Sequence, residues 1–184
     1  DDLAALDGTE ILYLSAITLA IIAPAAREAL IARLAELPGQ GRRIAFDSNY
    51  RPRLWPNAKT ARDWTGRMWR ITDIALPSAD DERALFGDAN DVAVLSRLRG
   101  WGCRTGALKC GDAGPVALDE RLADGHFPPA SRVVDTTAAG DSFNGAYLAA
   151  LLQGRDEPTA LDWGHRMASV VIGQPGAIIA RTPD

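Results

Sequence analysis

Short apolar runs alternate with helical stretches along most of this chain, and that alternation constrains its fold more than any other feature. Glu10–Ser15 and Arg43–Asp47 are apolar runs of strand length. Between them Pro24 opens a helical stretch in which Leu30, Ile31, Leu34 and Leu37 recur at helix spacing, and Pro38, Gly39 and Gly41 stop it. Ala58–Arg70 repeats the helical pattern, with Trp64, Met68 and Trp69 as apolar contacts. Ile74–Leu76 reads as a short strand, acidic Asp80–Glu82 enters another helix, and Asp91–Gly100 and Thr105–Cys110 add a further helix and strand. Beyond Gly111, Pro115–Leu118 and His126–Pro128 flank a polar tip and predict a β-hairpin. Arg132–Val134 then leads through a glycine-containing turn to two helices, about Gly140–Gln153 and Pro158–Ile172. Strands alternating with helices make βα units and a mainly parallel sheet. The expectation is one α/β domain over residues 1–184.

Charge and cysteine usage narrow the function. The 184 residues carry 20 Lys+Arg against 24 Asp+Glu, a net charge of −4. Phosphate-backbone recognition needs a basic surplus, so no nucleic-acid partner is expected. Cys103 and Cys110 stand seven apart with no histidine nearby, which suits neither a disulfide framework nor a zinc site. The most apolar stretch, Ile11–Ala26, is interrupted by Tyr13, Ser15, Thr18 and Pro24 and lacks a basic leader. It reads as neither a membrane span nor a signal peptide, so a cytoplasmic protein without a membrane partner is expected.

In parallel sheets ligands bind beyond the carboxyl ends of the strands. The polar segments at those ends are Asp47–Arg51, Ser78–Glu82, Lys109–Gly114 and Asp135–Asp141. In the last, Ala138, Ala139 and Gly140 precede a long apolar helix. Small residues there let a ligand approach the backbone, and first-turn amides plus the helix dipole form an anion hole. Asp141 lies beside that hole. It either caps the helix or accepts a proton from a hydroxyl attacking a phosphate. The complete turn favours the second role.

The run Asp135-Thr136-Thr137-Ala138-Ala139-Gly140-Asp141-Ser142-Phe143 resembles the C-terminal signature of the pfkB, or ribokinase-like, carbohydrate kinases. The family usually has glycine where this chain has Ala138. The resemblance implies that Asp141 is the catalytic base and that Ala138, Ala139 and Gly140 form the anion hole. It also implies a ribokinase-like three-layer α/β/α, Rossmann-like sheet whose N-terminal strands and lid are missing from this chain. Phe46–Trp55, with the opening run Tyr13–Ala20 and the closing Gly176–Ile179, is similar to the family's 2-keto-3-deoxygluconate kinases. On that likeness Ile17 and Arg51 bind the sugar acid together with Asp141. Arg51, with its fork of donors, suits a carboxylate or phosphate; a structural pairing with Asp47 or a helix end is the alternative.

Lys109-Cys110-Gly111-Asp112-Ala113-Gly114 resembles the family's Lys-x-Gly-x-x-Gly loop bordering ATP. The resemblance puts Asn49, Lys109, Gly111, Asp112, Ala113 and Gly114 on the nucleotide side. Lys109 either pairs with phosphate or covers the strand end. His165, 24 residues after Asp141, falls where the family usually has an adenine-side Asn. Ser78–Glu82 occupies the family's Asn-x-x-Glu region, which places Asp81 as a water-mediated Mg²⁺ contact, or as an acidic start to a helix. ATP, Mg²⁺ and a monovalent cation are the implied cofactors, a small sugar acid the substrate, and a homo-oligomer the full-length form.

The implied reaction is ATP-dependent phosphorylation of 2-keto-3-deoxygluconate to its 6-phosphate. A fructokinase or ribokinase is an alternative. So is an inactive nucleotide-binding remnant, because the chain begins at Asp1 without Met and none of the family's glycine-rich N-terminal sugar motifs is present. The expected role of the chain is the C-terminal, nucleotide-binding and catalytic part of a larger kinase.

Overall fold

The computed structural model describes residues 8–36, 41–122 and 125–179, which fall into two compact units on either side of the Leu108–Lys109 bond. Leu37, Pro38 and Gly39, read above as the end of a helix, lie outside the described residues.

The first unit carries strands β1 (Ile11–Ser15), β2 (Arg43–Asp47), β3 (Ile74–Ala75) and β4, which starts at Thr105 and runs to the boundary. They pair in parallel in that order, with Ser15 opposite Asp47, Phe46 opposite Ala75 and Ala75 opposite Gly106. Parallel pairing demands a crossover between each pair of strands. Helices α1 (Ala16–Ile21) and α2 (Pro24–Glu36) supply the first, α3 (Ala58–Trp69) the second, and α4 (Ala79–Phe86) with α5 (Asp91–Gly100) the third. Ile44, Ala45, Phe46, Ile74, Ala107 and Leu108 are buried, which is why these strands read as continuous apolar runs. Phe46 meets Trp69 of α3 edge-on at 4.8 Å between ring centroids.

Local chemistry sets the helix ends. Asn57 and Asn90 accept from the amides of Thr60 and Ala93 at 2.8 and 2.9 Å, capping α3 and α5. Gly87, at φ 80°, closes α4 in the left-handed conformation that favours glycine. Helix α1 has no such sequence signal. It follows β1 directly, Ser15 makes no side-chain cap, and the apolar run through Ala20 does not announce the change. Its C-terminal carbonyls are satisfied from a distance: Arg27 of α2 donates to Leu19 O and, at 3.0 Å, to Ala20 O. That guanidinium is buried and lies 5.1 and 5.7 Å from the ring centroids of Trp55 and Trp64.

A second buried network joins α4 to α5. Arg97 donates to Glu82 Oε2 at 2.9 Å and to Asp88 Oδ2 at 2.5 Å, while its guanidinium lies 4.0 Å from the Phe86 ring centroid. Burial pushes the fully enclosed Glu82 carboxyl up to about 7, a rise the Arg97 charge only partly offsets. Burial, reinforced by Glu82, likewise pushes the Cys103 thiol up to about 12, so it stays protonated at neutral pH.

The second unit contains β5 (Pro115–Ala117), α6 (Ala139–Leu152) and α7 (Glu157–Ile172). The two helices pack against each other. Phe143 stacks on Tyr147 at 6.0 Å, and a Cβ at Gly164 would stand 2.8 Å from the Phe143 ring, so only glycine lets α7 come this close. The hairpin expected from Pro115–Leu118 and His126–Pro128 is not formed, because 126–128 is irregular. Pro128 and Pro129 have no amide hydrogen to donate to a ladder. The segment packs through Phe127 instead, which closes over Gly114 so tightly that a Cβ there would lie 2.6 Å from it.

Among the described residues no helix is long and apolar enough to cross a membrane.

Candidate active site

The polar strand ends of the first unit are knitted together. The Asp47 carboxylate at the end of β2 accepts from Tyr13 Oη and from the Asn49 amide, both at 3.3 Å. The chain then turns sharply, with Asn49 at φ 26°, a value rare outside glycine and tolerated by asparagine. Ser48 Oγ accepts from the Ser78 amide at 2.8 Å, and Asp81 Oδ2 accepts from the Tyr50 amide at 3.1 Å. The segments 47–51 and 78–82 are therefore held as one piece. Arg51, with its side chain 56% exposed, sits 3.9 Å from the Asp81 carboxylate and donates to Tyr50 O at 3.1 Å. It is not hydrogen-bonded to Asp47. Asn49 Oδ1 is enclosed without a hydrogen-bond partner among the described residues, an acceptor left over in a polar corner. Ile17, half-buried, lies in α1.

The second unit builds the signature turn and the start of α6. Asp135 clamps the signature turn: Oδ1 accepts from the Thr137 amide at 2.8 Å and Oδ2 from the Gly176 amide at 3.0 Å. Thr137 and the Gly176 amide hold the Asp135 carboxyl below the usual carboxylate range. The amides of Val134 and Asp135 donate to Ile172 O at 2.7 and 3.2 Å, tying the turn to the end of α7. Ala138 then adopts φ 62°, the left-handed region, and its carbonyl accepts from the Ser142 amide to start α6. An alanine in that region carries a steric cost of about 1–2 kcal/mol, so the usual family glycine has a physical reason. The first-turn amides of Gly140 and Asp141 have no acceptor within the helix and are available to an anion. Asp141 is exposed at the same helix start.

The Lys109–Gly114 loop lies in this unit as well. It folds as a tight 3₁₀ turn over Gly111–Ala113, closed by Cys110 N–H to Gly114 O at 3.2 Å, with Gly111 and Gly114 at φ 61° and 84°. Asp112 and Ala113 are exposed on its crest. Lys109, Gly111, Gly114, Gly140, Phe143 and His165 line a cavity of about 100 Å³. Three segments far apart in sequence, the loop, the turn and the His165 position of α7, thus converge on one hollow. His165 contacts the Pro128 carbonyl at 2.8 Å through Nε2 and packs against the Phe127 ring. Sequence reasoning missed Asn144, a buried amide on α6 that accepts from Lys109 Nζ at 2.9 Å. Its signal was a polar residue on the buried face of α6, whose other buried residues are Phe143, Tyr147 and Ala150. Among the described residues no group of three or more His, Cys, Asp and Glu side chains is placed to hold a metal ion.

A hollow at a helix start, lined by a glycine loop and next to an exposed carboxylate, has the geometry to take an anionic group. Residues 1–184 match the pfkB family of carbohydrate kinases, and the chain belongs to that family. It is 42% identical over 176 residues to the 2-dehydro-3-deoxygluconokinase of Escherichia coli K12, covering 92% of this chain and 56% of that protein. It is 39% identical over 180 residues to the 2-dehydro-3-deoxygluconokinase of Haemophilus influenzae, covering 96% and 57%. The aminoimidazole riboside kinase of Salmonella enterica, solved with aminoimidazole riboside and an ATP analog, matches with a TM-score of 0.80 at 28% identity, covering 91% and 57%. The chain thus spans little more than half the length of these relatives, and the α/β fold expected from its sequence is the one it shares with the solved Salmonella kinase.

Proposed function

We propose that this chain carries the catalytic and nucleotide-binding part of a kinase that transfers the γ-phosphoryl group of ATP to 2-keto-3-deoxygluconate, giving 2-keto-3-deoxy-6-phosphogluconate. The observation that carries the reading is the Asp135–Asp141 turn, which brings the first-turn amides of α6, left without an acceptor within the helix, and the Asp141 carboxylate to the same helix start. Asp141 takes the proton from the substrate's terminal hydroxyl as that oxygen attacks the phosphoryl group in line. The backbone of Ala138, Ala139 and Gly140 stabilises the charge that develops on the transferred group. Lys109, Gly111, Asp112, Ala113 and Gly114 border the nucleotide, His165 lies on its base side, and Asn49 contributes its enclosed acceptor.

Arg51 and Ile17 act on the sugar acid. A carboxylate substrate calls for a fixed cation that a neutral sugar does not, and Arg51 is exposed yet oriented by Tyr50 O and Asp81. Mg²⁺ would be held chiefly by the nucleotide's phosphates and water, where it neutralises charge. Asp81 fits an outer role, since its carboxylate already accepts from the Tyr50 amide. The identity to two 2-dehydro-3-deoxygluconokinases supports the choice of substrate. Initial-rate assays with 2-keto-3-deoxygluconate, fructose and ribose, each with ATP, Mg²⁺ and K⁺, test it. The keto-deoxy acid is expected to give the highest kcat/KM, and preference for fructose or ribose would overturn the assignment.

A further inference from the structure

One buried side chain of the first unit pins both elements that carry the proposed sugar-acid contacts. Helix α1, which holds Ile17, is six residues long, and Ser15 before it gives no side-chain cap. Its carbonyl end is satisfied by Arg27, which donates through Nε to Leu19 O and through a terminal nitrogen, at 3.0 Å, to Ala20 O. A cation there also meets the negative end of the helix dipole. The same guanidinium lies 5.1 Å from the ring centroid of Trp55. Trp55 is buried and closes the 3₁₀ turn Pro52–Leu54, its amide donating to Pro52 O at 3.2 Å. Arg51 opens that turn, its carbonyl accepting from the Leu54 amide at 2.9 Å. Burying a guanidinium is costly, and an apolar side chain would fill the space. What an apolar side chain cannot do is bond two carbonyls of α1 and hold the Trp55 ring at once.

We propose that Arg27 is a positioning residue for the sugar acid: it locks α1 to the turn after Arg51, so that Ile17 and Arg51 are presented to the substrate in one fixed arrangement. The inference rests on the reading of Ile17 and Arg51 as sugar-acid contacts and adds the residue that orients both. Lys109, Gly111, Gly114 and His165 lie in none of the elements that Arg27 touches, so its effect falls on one substrate and spares the nucleotide.

Initial-rate kinetics with 2-keto-3-deoxygluconate and ATP varied in turn test this, on Arg27→Met, Arg27→Lys, Arg51→Met and the double variant Arg27→Met/Arg51→Met. The thermal midpoint of each protein is measured alongside. Arg27→Met keeps the bulk of the stem and loses the fork. Its KM for the keto-deoxy acid is expected to rise about tenfold or more, while KM for ATP stays within about twofold. Should Arg27→Met fail to fold, Arg27→Lys, which keeps the charge without the fork, decides the matter through a rise of about threefold or more in the same KM alone. In the Arg51→Met background, Arg27→Met is expected to raise that KM by less than it does in the wild type, because its effect passes in part through Arg51. An unchanged KM for the acid in the folded Arg27 variants, equal rises in both KM values, or factors that multiply in the double variant would each overturn the inference alone. An Arg51→Met variant with the wild-type KM for the acid would overturn the sugar-acid reading of Arg51 and the inference with it. A wild-type protein without turnover would overturn the kinase reading itself.

Discussion

Asp135 Oδ2 accepts from the Gly176 amide at 3.0 Å, joining the signature turn to the chain beyond α7 across 41 residues of sequence. The other oxygen of the same carboxylate accepts from the Thr137 amide. One side chain therefore sets both the internal shape of the turn and its position against the end of α7. Asp135→Ala is expected to leave α6 and α7 folded while shifting the anion hole. Misplacement on the ångström scale can reduce turnover about 100-fold. Measuring kcat beside the thermal midpoint separates the two effects, and a full-rate Asp135→Ala variant would show that the clamp is dispensable.

Ala138 gives a stability prediction of opposite sign. At φ 62° its Cβ is strained, and glycine would remove the strain at some entropic cost in the unfolded chain. Ala138→Gly is expected to stabilise the protein by up to about 1 kcal/mol with activity retained, since the anion hole is made of backbone. Denaturant titration measures it. A clear loss of stability would mean that the alanine methyl makes contacts worth more than its strain.

Gly106 is the counterexample within β4. A Cβ there would stand 1.8 Å from Ala75 O, its partner across the ladder, and its φ of 127° is a glycine conformation. Gly106→Ala is expected to cost about 4 kcal/mol or more, enough to unfold a marginal domain. Soluble yield and circular dichroism check this; a native spectrum with an unchanged midpoint would contradict it.

Glu82 makes stability depend on pH. Its folded carboxyl titrates near 7, above the ordinary value of 4.5, so the folded state binds the proton more tightly than the unfolded one. Stability is then highest below the ordinary value, falls as pH rises between the two, and levels off above about 7. The loss is on the order of 3 kcal/mol. Glu82→Gln is expected to flatten that window when midpoints are compared between pH 4.5 and 8. Parallel curves for both proteins would place the titration elsewhere.

The pattern of strands and helices was legible where residue types and packing agree. Arg43–Asp47 and Asp91–Gly100 appear with the bounds their sequence implies. Helix α1 was not legible, because its C-terminus is capped by Arg27 from another helix, a contact without local signature. The hairpin expected from two runs flanking a polar tip does not form, because Pro128 and Pro129 have no amide hydrogen to give a ladder. At the site, the motif positions around Lys109, Gly140 and His165 do converge on one hollow. The Asn144 amide and the left-handed Ala138 were hidden, since a hydrogen-bond partner and a dihedral angle are properties of the fold rather than of one residue.

The central claim is that Asp141 is the proton acceptor, and Asp141→Asn tests it most directly, because the amide keeps the shape and removes the basicity. The variant is expected to bind ATP as the wild type does while kcat on 2-keto-3-deoxygluconate falls about 10²–10⁴-fold. Turnover within a few-fold of wild type would contradict the account.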